Sequence, residues 1–194
     1  MRQKTFFIGL VLAATIIVLS SCGQDSSPAG LGTVVGVIDG DTVAVALGDT
    51  TESVRLLGID TPETVHPNRP PECFGKEASA RLALLLPPGT AVLLHRDVEP
   101  RDRYGRLLAY LERLNDGLNI NLVLVEQGFA ASLHIDPNDG MRRDLEAAES
   151  RARADQRGLW AVCNGNHVPL EEFRCPVVYL KALFRYGSGG EHPQ

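Results

Sequence analysis

Thr33-Val34-Val35-Gly36-Val37-Ile38-Asp39-Gly40-Asp41-Thr42, with the residues that follow it to Leu57, decides the fold of this chain. Thr33 to Ile38 is rich in β-branched side chains and reads as a strand. Asp39-Gly40-Asp41-Thr42 reads as a tight hairpin turn in which Gly40 supplies a positive φ. Val43 to Leu47 is the return strand, Gly48-Asp49-Thr50 turns the chain again, and Ser53-Val54-Arg55-Leu56-Leu57 is a third strand. Strand, turn, strand, turn, strand is a meander. With Gly36 at a bend, it suits a small coiled barrel.

The third strand runs into a polar turn: Arg55-Leu56-Leu57-Gly58-Ile59-Asp60-Thr61-Pro62-Glu63. Leu56, Leu57 and Ile59 are apolar, but Arg55, Asp60 and Glu63 are charges that a purely structural strand has little use for. An Asp-Gly turn alone is weak functional evidence, since most are hairpin turns and nothing more. Asp41 gains chemical interest only if Asp60 lies nearby, and in a three-strand meander the start of the second strand and the end of the third can sit side by side. Two carboxylates there, Asp41 and Asp60, with a backbone carbonyl and water, suit a hard, oxygen-seeking cation such as Ca²⁺.

The chain has 194 residues, 44% of them hydrophobic and 22% charged, which is the composition of one globular domain with appendages. The formal net charge is -5, which argues against a protein that coats nucleic acid through a broad basic surface. It leaves room for an enzyme that holds one phosphate in a small positive pocket.

Arg2 and Lys4 precede an apolar run from Phe6 to Leu19, too short for a comfortable membrane span. The run ends in Leu19-Ser20-Ser21-Cys22, which resembles a bacterial lipoprotein box. Residues 1–22 are therefore expected to be a lipoprotein signal with Cys22 lipidated. The protein is expected to be exported and anchored through that lipid at the outer face of a bacterial envelope membrane. Residues 23–31 are Gly-, Ser- and Pro-containing and read as a flexible tether. The domain is expected over 32–163, and 164–194 is a tail in which Val177 to Tyr186 has apolar content for a short helix or strand.

Three further cysteines allow one disulfide and leave one thiol over. Cys73–Cys163 would tie a loop after the opening motif to the end of the domain; Cys163–Cys175 would staple only the tail. The reading leans to Cys73–Cys163. Paired CxxC or HxxxH spacing is absent, which argues against zinc.

Thr64 to Glu72 is a polar, proline-rich loop in which His66 reads as a solvated residue. From Gly75 to Leu86 the pattern is helical, with Ala78, Leu82, Leu85 and Leu86 on one face, and Pro87-Pro88-Gly89 stops it. Ala91 to Leu94 is a fourth strand, with His95 on its face. Arg101-Asp102-Arg103-Tyr104-Gly105-Arg106 is a charged turn before a fifth strand, Leu107 to Leu111. In isolation it reads as a solvated basic turn, but Arg106 stands where turn meets strand and can point back into the barrel mouth instead of outward. Ile120 to Gln127 is a short helix closed by Gly128. Asp139 to Arg157 is the longest helix, with Met141, Leu145, Ala148 and Ala152 as its buried stripe. Its arginines alternate with Asp144, Glu146, Glu149 and Asp155 and read as a solvated, salt-paired face. Trp160 is expected to fold back on the core.

Asp39-Gly40-Asp41-Thr42, Arg55 through Glu63, and Asp102-Arg103-Tyr104-Gly105-Arg106, together with Gly128 and Gly158-Leu159-Trp160, resemble the staphylococcal (micrococcal) nuclease family, the thermonucleases, over roughly residues 33–163. The resemblance implies an α+β protein: a five-stranded OB-fold barrel with three α-helices. It implies Ca²⁺-dependent cleavage of DNA or RNA by a chain expected to act as a monomer. Carried over residue by residue, it makes Asp41 and Asp60 carboxylate ligands of Ca²⁺ and Thr61 a ligand through its backbone oxygen. Arg55 and Arg106 would grip the scissile phosphate, and Glu63 would orient or deprotonate the attacking water. Arg103 and Tyr104 would line the nucleotide pocket.

The chain departs from the family pattern after Gly128. There the family offers tyrosines that stack on a base, and this chain has Phe129-Ala130-Ala131-Ser132-Leu133-His134-Ile135-Asp136-Pro137. His134 reads equally as a stacking ring or a surface histidine. Residues 32–165 also carry 14 Lys and Arg against 20 Asp and Glu, so long-range steering of nucleic acid is expected to be weak. The rival reading is a catalytically silent OB-fold module that binds nucleic acid or protein at the envelope, since fold alone does not give function. It gives no reason for Asp41, Arg55, Asp60, Glu63 and Arg106 all to be present.

Overall fold

The structure is a computed structural model that describes residues 30–64, 70–165 and 167. The expectations for the signal, Cys22, the tether to residue 29, His66, Cys175 and the 177–186 segment lie outside these residues. Among them, no helix is long and apolar enough to cross a membrane.

β1 (Leu31–Asp39), β2 (Thr42–Leu47) and β3 (Thr50–Leu56) form the expected antiparallel meander. The β1–β2 register shifts between Val34 and Gly36 and again between Val37 and Asp39, so the bend falls at the expected glycine. Inward residues alternate along these strands: Val34, Val43, Val45, Val54 and Leu56 are all buried. β4 (Ile59–Asp60) follows at once, separated from β3 by Leu57 and Gly58. α1 (Gly75–Leu85) buries Ala78, Leu82 and Leu85 as its periodicity predicts.

β5 (Ala91–His95) pairs antiparallel with the start of β1 and with β6 (Leu107–Arg113). Parallel pairing of β3 with β6, Val54 opposite Leu107 to Leu56 opposite Ala109, closes β1, β2, β3, β5 and β6 into the five-stranded barrel. This closure brings the strand bearing Arg55 beside the strand that follows Arg106. β7 (Leu118–Asn119) extends the sheet from β6.

α2 (Ile120–Glu126) starts at Asn119, whose side chain accepts the Leu122 N–H at 2.9 Å. The next residue, Asn121, is fully buried. Its Oδ1 accepts from Leu111 N at 2.9 Å and its Nδ2 donates to Leu57 O at 2.8 Å. It serves backbone groups where β3 and β6 diverge, which would otherwise be buried without partners. β8 (Ala131–Ser132) pairs antiparallel with β4 in a separate two-stranded sheet. Neither short strand has enough residues to show alternation in the sequence.

α3 (Arg142–Ala154) is shorter than the expected 139–157 helix, and Met141 is its N-cap residue, only partly buried. Leu145, Ala148 and Ala152 are buried as expected, but so is Glu149, which the sequence pattern placed on the solvated face. The fold has one helix more than expected, α4 (Leu159–Val162), a single turn that seats the buried Trp160. The Arg153 guanidinium lies over the Trp160 ring, 3.9 Å from its centroid. Cys73 and Cys163 are bonded, with Cα atoms 5.9 Å apart, so the bridge joins the loop before α1 to the end of α4.

Candidate active site

The site begins at the first hairpin. The Asp39 carboxylate accepts the Gly40 N–H at 2.8 Å, the Thr64 hydroxyl at 2.8 Å and the Ser79 hydroxyl at 3.4 Å. One side chain therefore joins the turn, the segment after β4, and α1. Gly40 does not adopt the positive φ expected of it. Its glycine character answers a different need: a Cβ there would lie 2.5 Å from Thr61 Oγ1 and 3.2 Å from the Ala78 Cβ. The turn is pressed against the segment that follows Asp60, and only hydrogen fits between them.

That close approach puts Asp41 beside Thr61. Asp41 is buried, and its Oδ2 accepts from the Thr61 hydroxyl at 3.2 Å and the Thr61 N–H at 3.4 Å, while Oδ1 accepts from Thr42. Arg55 stands opposite Thr42 in the β2–β3 register. Its Nη1 donates to Leu56 O at 2.7 Å. Its Nη2 meets Asp41 Oδ2 at 3.0 Å and Asp60 Oδ1 at 3.3 Å. One guanidinium nitrogen is thus shared by two carboxylates that are 19 residues apart in sequence. Gly58, with φ +72, lets the chain reverse between β3 and β4 so that Asp60 returns toward Arg55. Burial pushes the Asp60 carboxyl above its ordinary pKa; His167 and Arg55 pull against this, and Asp41 adds to it.

The far wall is set by Glu72. Its carboxylate accepts the Glu63 N–H at 2.9 Å, and its own N–H donates to Glu63 O at 2.9 Å, so the chain on either side of residues 65–69 is clasped at the neck. Cys73 and its disulfide follow immediately. Four residues beyond Cys163, His167 places Nε2 2.5 Å from Asp60 Oδ2 and Nδ1 3.0 Å from Glu72 Oε2. Burial alone would depress the imidazolium, but Asp60 and Glu72 outweigh it and the His167 pKa lies above its ordinary value. Neither contact was legible in the sequence, where Glu72 ended a polar loop and His167 lay in the tail.

The third piece comes from the turn before β6. Asp102 accepts the Arg106 Nε–H at 2.7 Å and the Arg106 main-chain N–H at 2.9 Å. Burial alone would raise the Asp102 carboxyl, but these donors and the Tyr104 N–H hold its pKa below the ordinary value. Arg103 Nη2 donates to the Tyr104 hydroxyl at 2.6 Å, and its guanidinium lies 4.8 Å from the centroid of the exposed Tyr104 ring.

Two clefts meet at Arg55 and Arg106, which line both. One, of about 400 Å³, is walled by Asp41, Asp60, Thr61 and Glu63. The other, of about 550 Å³, is walled by Arg103, Tyr104, Leu133, Ile135 and Asn138. The structure therefore brings together all eight residues expected in a nuclease site. His134, whose sequence reading was open, hydrogen-bonds to Asp136 at 2.9 Å and faces a small cavity beside Tyr110 and Arg142 instead of the larger cleft. Leu133 and Ile135 replace it with an apolar wall.

The smaller cleft can manage phosphate chemistry. A buried and a partly buried carboxylate sharing one positive group form an all-oxygen donor set of the kind a hard divalent cation takes. Among the described residues, no group of three or more His, Cys, Asp or Glu forms a closed metal cage. A cation here would complete its shell with backbone, water or substrate oxygen. Two guanidinium groups at the seam supply planar donors matched to a phosphodiester.

Comparison with known proteins identifies the family. The family described as "Staphylococcal nuclease homologue" matches residues 53–162. The thermonuclease of Staphylococcus intermedius is 42% identical over 124 residues, covering 64% of this chain and 72% of that protein. The thermonuclease of Staphylococcus hyicus is 33% identical over 171 residues, covering 83% of this chain and 99% of that protein. Endonuclease YhcR of Bacillus subtilis (strain 168) is 37% identical over 139 residues, which cover 66% of this chain but 11% of that larger protein.

Proposed function

Because the chain belongs to the staphylococcal nuclease homologue family, and is therefore a phosphodiester-hydrolysing nuclease, we propose that it cleaves DNA or RNA in a Ca²⁺-dependent reaction at the cleft shared by Asp41, Arg55, Asp60, Glu63 and Arg106. The observation that carries this reading is the Arg55 guanidinium held between Asp41 and Asp60 in a cleft whose remaining walls include Glu63 and Arg106.

Asp41 and Asp60, with the Thr61 carbonyl, are the groups that would hold Ca²⁺. Bound there, the cation would offset charge on the phosphate as it is attacked. The protein's own residues do the rest. Arg55, anchored on Leu56 O, and Arg106, anchored on Asp102, grip the non-bridging phosphate oxygens and stabilise the charge that grows on them. Glu63, its main chain fixed by Glu72, orients the attacking water and accepts its proton. As the water oxygen bonds to phosphorus, the bond to the leaving oxygen breaks. Arg103 and Tyr104 receive the adjoining nucleotide in the larger cleft, against Leu133 and Ile135.

The test is release of acid-soluble nucleotides from single-stranded DNA in Ca²⁺ and then in EGTA. Release in Ca²⁺ and its loss in EGTA are expected. Release that survives chelation would overturn the cation assignment.

For location, we propose export and a lipid anchor at Cys22, supported by the apolar run and the small residues before that cysteine. Bacteria expressing the chain with a radiolabelled fatty acid are expected to label it, and Cys22→Ala is expected to abolish the label. Label retained in the variant would overturn Cys22 as the lipidated residue.

A further inference from the structure

α3 carries its charges outward with one exception. Glu149 is 9% exposed and sits one turn after Leu145 in the helix's apolar stripe. Its Oε2 accepts from the Ser132 N–H at 2.9 Å and from the Ser132 hydroxyl in a short bond. Its Oε1 accepts from Arg153 Nε at 2.8 Å and Nη2 at 2.5 Å. Burial alone would raise this carboxyl, but Ser132 and Arg153 outweigh it and the pKa lies below its ordinary value. A carboxylate buried at this cost is kept for what it holds.

What it holds is β8. That strand has two residues and pairs with β4, Ser132 opposite Ile59 and Ala131 opposite Asp60, with Leu133 N donating to Gly58 O at 2.9 Å. So short a ladder cannot keep its own register, and a one-residue slip would turn Asp60 to the opposite face. α3 supplies the missing constraint at two points. Glu149 grips Ser132, and Leu145 packs so closely on Gly58 that a Cβ there would lie 2.4 Å from Leu145 Cδ1.

We infer that Glu149 is a positioning residue for the catalytic centre, clamping β8 against β4 so that the Asp60 carboxylate stays beside Arg55 and Asp41. The inference rests on reading Asp60 as a cation ligand. A carboxylate that only stabilised α3 would lower stability when lost and leave the ligand geometry alone. A positioning carboxylate changes cation affinity in protein that is still folded.

The experiment is calorimetric titration of the full chain with Ca²⁺, without nucleic acid, at a temperature well below each variant's unfolding midpoint. Glu149→Gln keeps the side-chain volume but loses the charge and an acceptor; it is expected to weaken Ca²⁺ binding by about tenfold. Ser132→Ala, which removes only the hydroxyl donor, is expected to weaken it less. Arg153→Ala removes the partner on the solvent side, where that side chain is 59% exposed, and is expected to leave affinity unchanged. Wild-type affinity in both Glu149→Gln and Ser132→Ala would overturn the inference. So would a loss in Arg153→Ala equal to that in Glu149→Gln, which would mark the network as helix packing alone. If Glu149→Gln fails to fold, Ser132→Ala decides. A wild-type chain that binds no Ca²⁺ would instead sink the cation reading of Asp60, and this inference with it.

Discussion

Glu63→Gln is expected to lower turnover on single-stranded DNA by on the order of 10²- to 10⁴-fold while leaving the unfolding midpoint within a degree or two of wild type. Glutamine keeps the shape of the side chain and cannot accept a proton, and the structure anchors this segment by the Glu63 main chain, which glutamine leaves intact. Arg106→Ala is expected to cost on the order of 10²- to 10³-fold in turnover by removing a donor aimed at the developing charge. Arg106→Lys should recover little of that loss, because an ammonium keeps the charge and gives up the planar fork. It would also lose the Nε–H that Asp102 holds at 2.7 Å. The check is kcat and KM on a defined oligonucleotide beside a denaturation curve for each variant. Near-wild-type kcat in Glu63→Gln would remove Glu63 from the reaction, and recovery by Arg106→Lys would reduce Arg106 to a point charge.

Opening the Cys73–Cys163 bridge should have the largest effect on stability. The two cysteines are 90 residues apart, so the bridge withdraws a long loop from the unfolded ensemble. The chain-entropy estimate for a loop of that length is about 4.6 kcal/mol, within the ~2–5 kcal/mol lost when native bridges are removed. Cys73→Ser and the reduced wild type should both show this drop in urea unfolding, and agreement between them would separate the bond from the side-chain change. Stability unchanged by reduction would mean that the folded core alone holds α4 and the loop before α1 together. The bridge also bears on the site. Cys73 follows Glu72, which clasps both Glu63 backbone groups, and Cys163 lies four residues before His167, which contacts Asp60.

Much of the fold was legible because it is written in near neighbours. The meander follows from β-branched runs separated by Asp-Gly and Gly-Asp turns, and α1 from the 3.6-residue spacing of Ala78, Leu82 and Leu85. β4 and β8 were not legible, because two residues carry no period. Gly40 was read as a turn residue when its role is to let Thr61 approach, a contact across 21 residues of chain. Glu149 was assigned to solvent by charge alone. Its signal was present in its spacing, four residues after Leu145 inside the buried stripe, where an unpaired carboxylate would be costly and a partnered one marks a structural demand.

The sequence by itself determined the chemical inventory: which side chains are carboxylates, which are guanidinium forks, and that they sit at turns and strand ends where a barrel mouth would expose them. Only the tertiary structure decided which of them meet. Parallel closure of β3 on β6 brings Arg55 and Arg106 to the seam of two clefts. The Gly40 contact sets Asp41 against Thr61, and α3 reaches β8 through Glu149 on Ser132 and the turn before β4 through Leu145 on Gly58. The physical reason is range. Propensity and turn chemistry act over a few residues, whereas a shared Arg55 between Asp41 and Asp60 depends on sheet closure and helix packing contributed by the whole domain.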